Sequence, residues 1–183
     1  MVWLWVLIGV VLIILLMFFT YFNRFVVLSN RIENSLSQID VQLKRRADLI
    51  PNLIETVKGY AKHEKSAIKS VNDARKALVG ARGIENKVQA DGMLEMALGK
   101  LFAIAENYPD LKANTNFLEL QRELSTTEDR IAYARQFYND SILTYNNMVQ
   151  QLPGNFFASV YGRKEKEYLQ IANSEKKNIK VNF

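Results

Sequence analysis

Hydrophobic residues are distributed along this chain in two ways. Over residues 2–22 they are continuous, and the run VWLWVLIGVVLIILLMFFTYF has no charged side chain. Beyond Asn23 they recur every three or four positions, the spacing of one face of an α-helix. The first such series runs Leu28, Ile32, Leu36, Ile39, Leu43, Ala47, Ile50, Ile54, Val57, Ala61, Ile68, Val71, Ala74 and Leu78, with Ser35, Gln38, Gln42, Lys58 and Lys62 outside it. One step is missing between Ala61 and Ile68, where Glu64 stands. Pro51 falls inside the series without changing its phase. A proline removes one backbone donor and crowds the preceding turn, but a chain reversal would have no reason to preserve the register. The pattern predicts one long helix over residues 23–78, kinked at Pro51 and continuous with the apolar run. Two helices meeting at residues 49–52 are the alternative.

Two glycines in Val79-Gly80-Ala81-Arg82-Gly83 predict a loop. A second helix follows over residues 85–107, with the seam Val88, Leu94, Leu98, Leu101, Ala105 and Tyr108, and Tyr108-Pro109-Asp110 ends it. Asn116-Phe117-Leu118-Glu119 has the form of a capping box for a third helix reaching residue 151. Its seam is Phe117, Leu120, Leu124, Ile131, Ala134, Tyr138, Ile142, Tyr145, Val149 and Leu152, interrupted by the polar residues Thr127, Glu128, Asn146 and Asn147. Pro153-Gly154 closes it. A last element over residues 155–172 begins with Phe156, Phe157, Val160 and Tyr161 and turns charged from Arg163 and Lys164 onward. Apolar seams of this kind must pack against one another to leave water. The expected fold is all-α: an N-terminal transmembrane helix (residues 1–23), then an antiparallel up-and-down bundle of three long helices plus a short C-terminal helix, of four-helix-bundle type (24–172). A basic tail occupies residues 173–183.

The apolar run is long enough to cross a bilayer. Twenty-one residues at about 1.5 Å each span roughly 31 Å, the thickness of a hydrocarbon core. Trp3 and Trp5 suit one interface, and Tyr21 and Arg24 the other. A cleaved signal peptide would need a cationic stretch before the apolar core and a small-residue cleavage site, and neither is present in this stretch. Arg24, Arg31, Lys44, Arg45 and Arg46 all follow the span, so the positive-inside rule predicts a single-pass protein of the inner membrane with its body in the cytoplasm and its N-terminus outside.

Composition narrows the chemistry. The 183 residues include no cysteine and one histidine, with a formal net charge of +5. Disulfides, thiolate metal sites and cysteine nucleophiles are ruled out, as is any site that needs two imidazoles. His63-Glu64 has no second histidine four residues on, no Gly-x-Ser-x-Gly elbow exists, and no glycine-rich phosphate loop is present. No catalytic residue, metal site or cofactor is expected. Lys44, Arg45 and Arg46 form a short basic cluster without an aromatic stacking platform beside it, so nucleic acid is not an expected partner. This cluster, together with Phe156, Phe157, Tyr161, Arg163 and Lys164, supplies the candidate contacts to a partner or to lipid. A narrow seam on a long tethered helix leaves apolar surface for another chain, so a homo-oligomer is expected.

Five segments resemble the LemA family: Ile39-Asp40-Val41-Gln42-Leu43-Lys44-Arg45-Arg46-Ala47-Asp48-Leu49-Ile50-Pro51-Asn52-Leu53; Val57-Lys58-Gly59-Tyr60-Ala61-Lys62-His63-Glu64; Ala105-Glu106-Asn107-Tyr108-Pro109-Asp110-Leu111-Lys112-Ala113; Phe117-Leu118-Glu119-Leu120-Gln121; and Ala134-Arg135-Gln136-Phe137-Tyr138-Asn139-Asp140. The resemblance extends over nearly the whole chain. It implies a bacterial protein with an N-terminal membrane helix and a cytoplasmic antiparallel bundle, usually of four helices. It carries no agreed activity and no catalytic residues. The genes of such proteins often neighbour those of membrane zinc metallopeptidases, which makes a metallopeptidase one candidate partner. The expected function is a non-enzymatic, membrane-anchored scaffold or adaptor that self-assembles through its long helices. A regulatory or substrate-adaptor subunit of a membrane protease is the alternative, and an organiser of anionic lipid is a third reading.

Overall fold

A computed structural model describes residues 1–169 of the chain. It is built of helices, and no strand occurs among the described residues. The elements are α1 (Val2–Tyr60), α2 (Lys65–Gly80), α3 (Ile84–Ala105), α4 (Pro109–Lys112), α5 (Thr115–Gln150) and α6 (Gly154–Val160). Two compact units share them. The first comprises Met1–Ser37 and Gln136–Tyr168, and the second comprises Gln38–Arg135 with Leu169–Phe183, of which only Leu169 is described.

Helix α1 is 59 residues long and passes through Pro51 unbroken. The single long helix expected from the register is therefore present, but it stops earlier than residue 78. The break falls at residues 61–64, at the seam step that Glu64 occupies, and α2 starts at Lys65. Side chains fix this turn. The Tyr108 hydroxyl donates to Glu64 Oε1 at 3.0 Å, and Asn114 Nδ2 donates to the Tyr60 hydroxyl at 3.0 Å. The Glu64 carboxylate, by accepting that bond, raises the Tyr108 phenol above its usual range. Periodicity could not show the turn because Val71, Ala74 and Leu78 bury a face of α2 as regular as the face before it.

Pro51 lacks the N–H that would bond the carbonyl of Ala47, four residues earlier. That carbonyl accepts from Arg75 Nε of α2 at 2.8 Å, and Ala47 is buried. The backbone acceptor released by the proline is thus used to tie α2 to α1. In the second unit the core is formed by Ile39, Leu43, Ile50, Leu53 and Val57 of α1, Val71 and Leu78 of α2, Leu94, Leu98 and Leu101 of α3, and Phe117, Leu124 and Ile131 of α5. Each such side chain withdrawn from water contributes roughly 1.5–3 kcal/mol.

Three other boundaries differ from expectation. Helix α5 is capped by Asn114, whose Oδ1 accepts from Phe117 N at 3.0 Å, rather than by Asn116. Leu152, expected as the last seam residue, is 83% exposed. Helix α6 is only seven residues long, and residues 163–169 are not helical. The expected tail over residues 173–183 lies outside the described residues.

In the first unit α1 and α5 bring two serines together within an otherwise large-residue contact. Ser35, expected outside the seam, is fully buried, and its hydroxyl lies 3.4 Å from that of Ser141. Arg31 packs over the Phe137 ring at 4.8 Å. The turn into α6 contains a cis Leu152–Pro153 bond and brings Gly154 against the Met148 carbonyl oxygen. A Cβ at residue 154 would overlap that backbone atom, which cannot rotate away. Gly154→Ala is expected to cost about 1 kcal/mol or more and to displace α6. Thermal unfolding together with fluorescence from a probe on α6 would check it, and a wild-type melting temperature would refute the packing argument.

Candidate functional site

The first unit carries an aromatic cluster where α6 crosses the end of the apolar run of α1. Phe18, Tyr21, Phe22 and Phe25 of α1 face Phe156, Phe157 and Tyr161. The Phe18 and Phe157 rings meet edge to face at 5.0 Å, and those of Tyr21 and Phe157 stack at 4.5 Å. Phe25 packs against Tyr145 of α5 at 5.8 Å. The Tyr161 hydroxyl donates to the Phe18 carbonyl at 2.7 Å, which fixes α6 at one height along α1. Around this contact lies a core of Phe25, Leu28, Ile32, Ile142, Tyr145 and Met148. Burial pushes the Tyr145 phenol above its usual range, and the nearby Arg163 cation opposes the shift.

Helix α6 is held by the chain that leaves its C-terminal end. Gly162 has φ +64 and follows a C-terminal motif in which Gly162 N–H donates to Ser159 O and Arg163 N–H to Ala158 O. A glycine is favoured there because a Cβ strains the left-handed conformation. Beyond it, Asn146 of α5 receives the chain: Asn146 Nδ2 donates to Lys166 O and Lys166 N–H donates to Asn146 Oδ1, both at 2.9 Å. Asn146 is 4% exposed, so this polar interruption of the third seam serves an internal contact. Thr127 is likewise buried and donates to Leu124 O, whereas Glu128 and Asn147 are exposed.

The second unit contains a buried ion pair. Arg46 Nη1 donates to Asp91 Oδ1 at 3.0 Å, with both side chains withdrawn from water, and Arg46 Nη2 reaches Glu128 Oε2 at 3.4 Å. Burial raises Asp91 above the usual carboxylate range, and the positive charges of Arg46 and Arg135 work against that rise. Sequence reasoning missed this pair, although a signal exists. Arg46 stands three residues after Leu43 and four before Ile50, and Asp91 stands midway between Val88 and Leu94. Asp91 fills the open step of its seam, and Arg46 stands beside the step that Ala47 holds.

The remaining sequence candidates separate by exposure. Trp3 and Trp5 are 86% and 71% exposed, Arg24 is exposed, and Tyr21 is half-buried on Phe157. Lys44 and Arg45 are exposed, with Arg45 paired to Glu123 at 3.0 Å. Arg46 leaves this surface cluster for the core, where Asp91 of α3 meets it. Phe157 is buried, Tyr161 and Arg163 are half-buried, and Phe156 and Lys164 are exposed. His63 is exposed in the α1–α2 turn. Beside that turn an open groove of about 770 Å³ is lined by Lys58, Lys62, Lys65 and Lys69 with Ile54 and Ile68, and Lys58 is paired with Glu55. Within α1, the stretch apolar enough to cross a membrane has none of its residues buried.

Comparison with known proteins gives a match to the LemA family over residues 35–183. Magnetosome protein MamQ 1 of Paramagnetospirillum magneticum is 29% identical over 175 residues, covering 81% of this chain and 64% of its own length. Magnetosome protein MamQ of Magnetospirillum gryphiswaldense is 29% identical over 173 residues, with coverage of 80% and 64%. Protein LemA of Metamycoplasma hominis is 26% identical over 158 residues, with coverage of 81% and 72%. The chain thus spans 64% of the length of the MamQ relatives it matches.

Proposed function

Because this chain belongs to the LemA family, we propose that it acts as a membrane-anchored helical scaffold or adaptor and not as an enzyme. One observation carries this reading: no residue in the membrane-length apolar stretch of α1 is buried, yet the same helix continues without a break into residues that form a packed core. An exposed run of this length and composition would be insoluble unless lipid covered it. Relatives named as magnetosome proteins support a membrane-associated role.

The finer parts of the proposal rest on particular residues. In the second unit the pairs Arg75–Ala47, Arg46–Asp91 and Arg45–Glu123 support an up-and-down bundle of four helices, α1, α2, α3 and α5. The cations Arg24, Arg31, Lys44 and Arg45 after the span support a cytoplasmic body and an outside N-terminus at the inner membrane. Val41 of α1 and Leu118 and Tyr133 of α5 are exposed apolar residues of the second unit, and they support self-association or a membrane-protein partner such as a metallopeptidase. No step in this reading uses His63.

Purification of the full-length tagged chain from native membranes in mild detergent, with mass determination of the intact complex, tests the proposal. A larger species made only of this chain is the expected result. A stoichiometric protease would replace the scaffold reading with that of a protease subunit. Any hydrolytic or transfer activity abolished by His63→Ala would overturn the non-enzymatic reading altogether.

A further inference from the structure

Helix α6 buries one face and exposes another. Phe157 and Ala158 are withdrawn into the aromatic cluster, but Phe156 is 58% exposed, Val160 54%, and Leu152 in the preceding turn 83%. Phe156 and Val160 stand four residues apart and so share a helix face. Three large apolar side chains left open on so short a segment call for an apolar cover. Its identity follows from where α6 is held. The Tyr161 hydroxyl bonds the Phe18 carbonyl, and the Phe156 ring lies 6.5 Å from that of Phe18. Phe18 belongs to the uncharged run, six residues before Arg24, the first charged side chain after it. At about 1.5 Å per residue this is roughly 9 Å along the helix axis from the Arg24 backbone. Interfacial helices bury their apolar faces to a depth of about 5–10 Å.

We propose that α6 is a second membrane contact, an interfacial helix that inserts Phe156 and Val160, with Leu152 of the preceding turn, among the acyl chains beside the end of the α1 span. This rests on the reading that α1 crosses the bilayer. The neighbouring charges set its chemistry. Arg163, Lys164 and Lys166 are accompanied by Glu165 and Glu167, so the stretch carries little net charge. Apolar insertion, not attraction to anionic headgroups, holds α6 in place. The cations mark the headgroup level, where Lys164 is exposed to lipid phosphate.

The absence of cysteine from the chain makes the test direct. Full-length protein carrying single substitutions Leu152→Cys, Phe156→Cys or Val160→Cys, each labelled with a nitroxide, is reconstituted in phosphatidylethanolamine–phosphatidylglycerol vesicles. Collision with oxygen, which partitions into lipid, is compared with collision with a nickel chelate, which stays in water. All three positions are exposed, so the labels should not disturb folding. Phe156→Cys and Val160→Cys are expected to gain oxygen access and lose nickel access relative to Glu165→Cys, and to keep that pattern in high salt and in vesicles without phosphatidylglycerol. Water-like access at residues 156 and 160 would overturn the proposal. So would protection from both reagents, which would show a protein partner or a second copy covering the strip. Ile13→Cys separates the two readings: a lipid pattern there with a water pattern on α6 sinks only the interfacial helix, whereas a water pattern at residue 13 sinks the membrane anchor as well.

Discussion

Arg46→Leu is expected to destabilise the protein by about 3–5 kcal/mol at neutral pH, because it strips a buried carboxylate of its main counter-charge. Asp91 is almost completely withdrawn from solvent, and its strongest opposing influences are burial and the Arg46 cation. Without Arg46 the burial effect dominates and the Asp91 pKa rises further. The deficit should then depend on pH with a definite sign. A carboxyl whose folded-state pKa is raised holds a proton that the unfolded chain has already lost. The stability deficit therefore shrinks as pH falls from neutral through the raised folded value, and stops changing below the ordinary carboxylate value of about 3.9. Thermal unfolding of full-length protein in mild detergent at several pH values would show this. Arg46→Leu combined with Asp91→Leu is expected to recover most of the loss, since the uncompensated charge is gone. A pH-independent deficit, or a double variant as weak as the single one, would contradict the ion-pair account. Glu128 cannot substitute for Asp91 in this role, because its side chain is half in water, where ion pairs are screened.

The second large effect is a coupling between Pro51 and Arg75. Arg75→Met removes the donor to the Ala47 carbonyl and leaves a buried acceptor unpaired, at an expected cost of about 1.5–3 kcal/mol. Pro51→Ala restores the helical N–H that would bond this same carbonyl. Alone it should be tolerated or slightly stabilising, since α1 is already continuous through residue 51. Combined with Arg75→Met it should remove most of the arginine's cost, so the effects of the two substitutions are not additive. A double-mutant cycle by thermal or denaturant unfolding measures the interaction directly. Additivity within about 0.3 kcal/mol would mean that Arg75 matters for some reason other than the carbonyl freed by the proline.

Much of the architecture was legible in the residues. The uncharged run over residues 2–22 gave the candidate membrane span, and the continuous phase across Pro51 gave an unbroken helix there. The ends of α3 and α5 came within two residues, because Gly83, Pro109 and Pro153 change the backbone locally and need no distant partner to do so. The turn at residues 61–64 was different. Gly59 and the missing apolar step are weak marks, and the turn is secured by Tyr108 and Asn114, which are 44 and 54 residues away from the groups they bond.

The same division holds for the sites. Lys44, Arg45 and Arg46 are three adjacent cations in sequence, but successive residues on a helix point about 100° apart. Only packing against α3 could decide that Arg46 turns inward to Asp91 while its neighbours stay in water. Phe156 and Phe157 are likewise equivalent as residue types. The Tyr161 bond to Phe18 and the close approach of Gly154 to Met148 orient α6 so that Phe157 is buried and Phe156 is left exposed. Hydrophobic periodicity by itself determined that this chain is helical and that it carries a run able to cross a membrane, since both depend on the local repeat of side chains along one backbone. Which charge is buried, which aromatic ring stays open, and where the first helix ends were decided by tertiary contacts alone, since each depends on groups that meet only after the chain has folded.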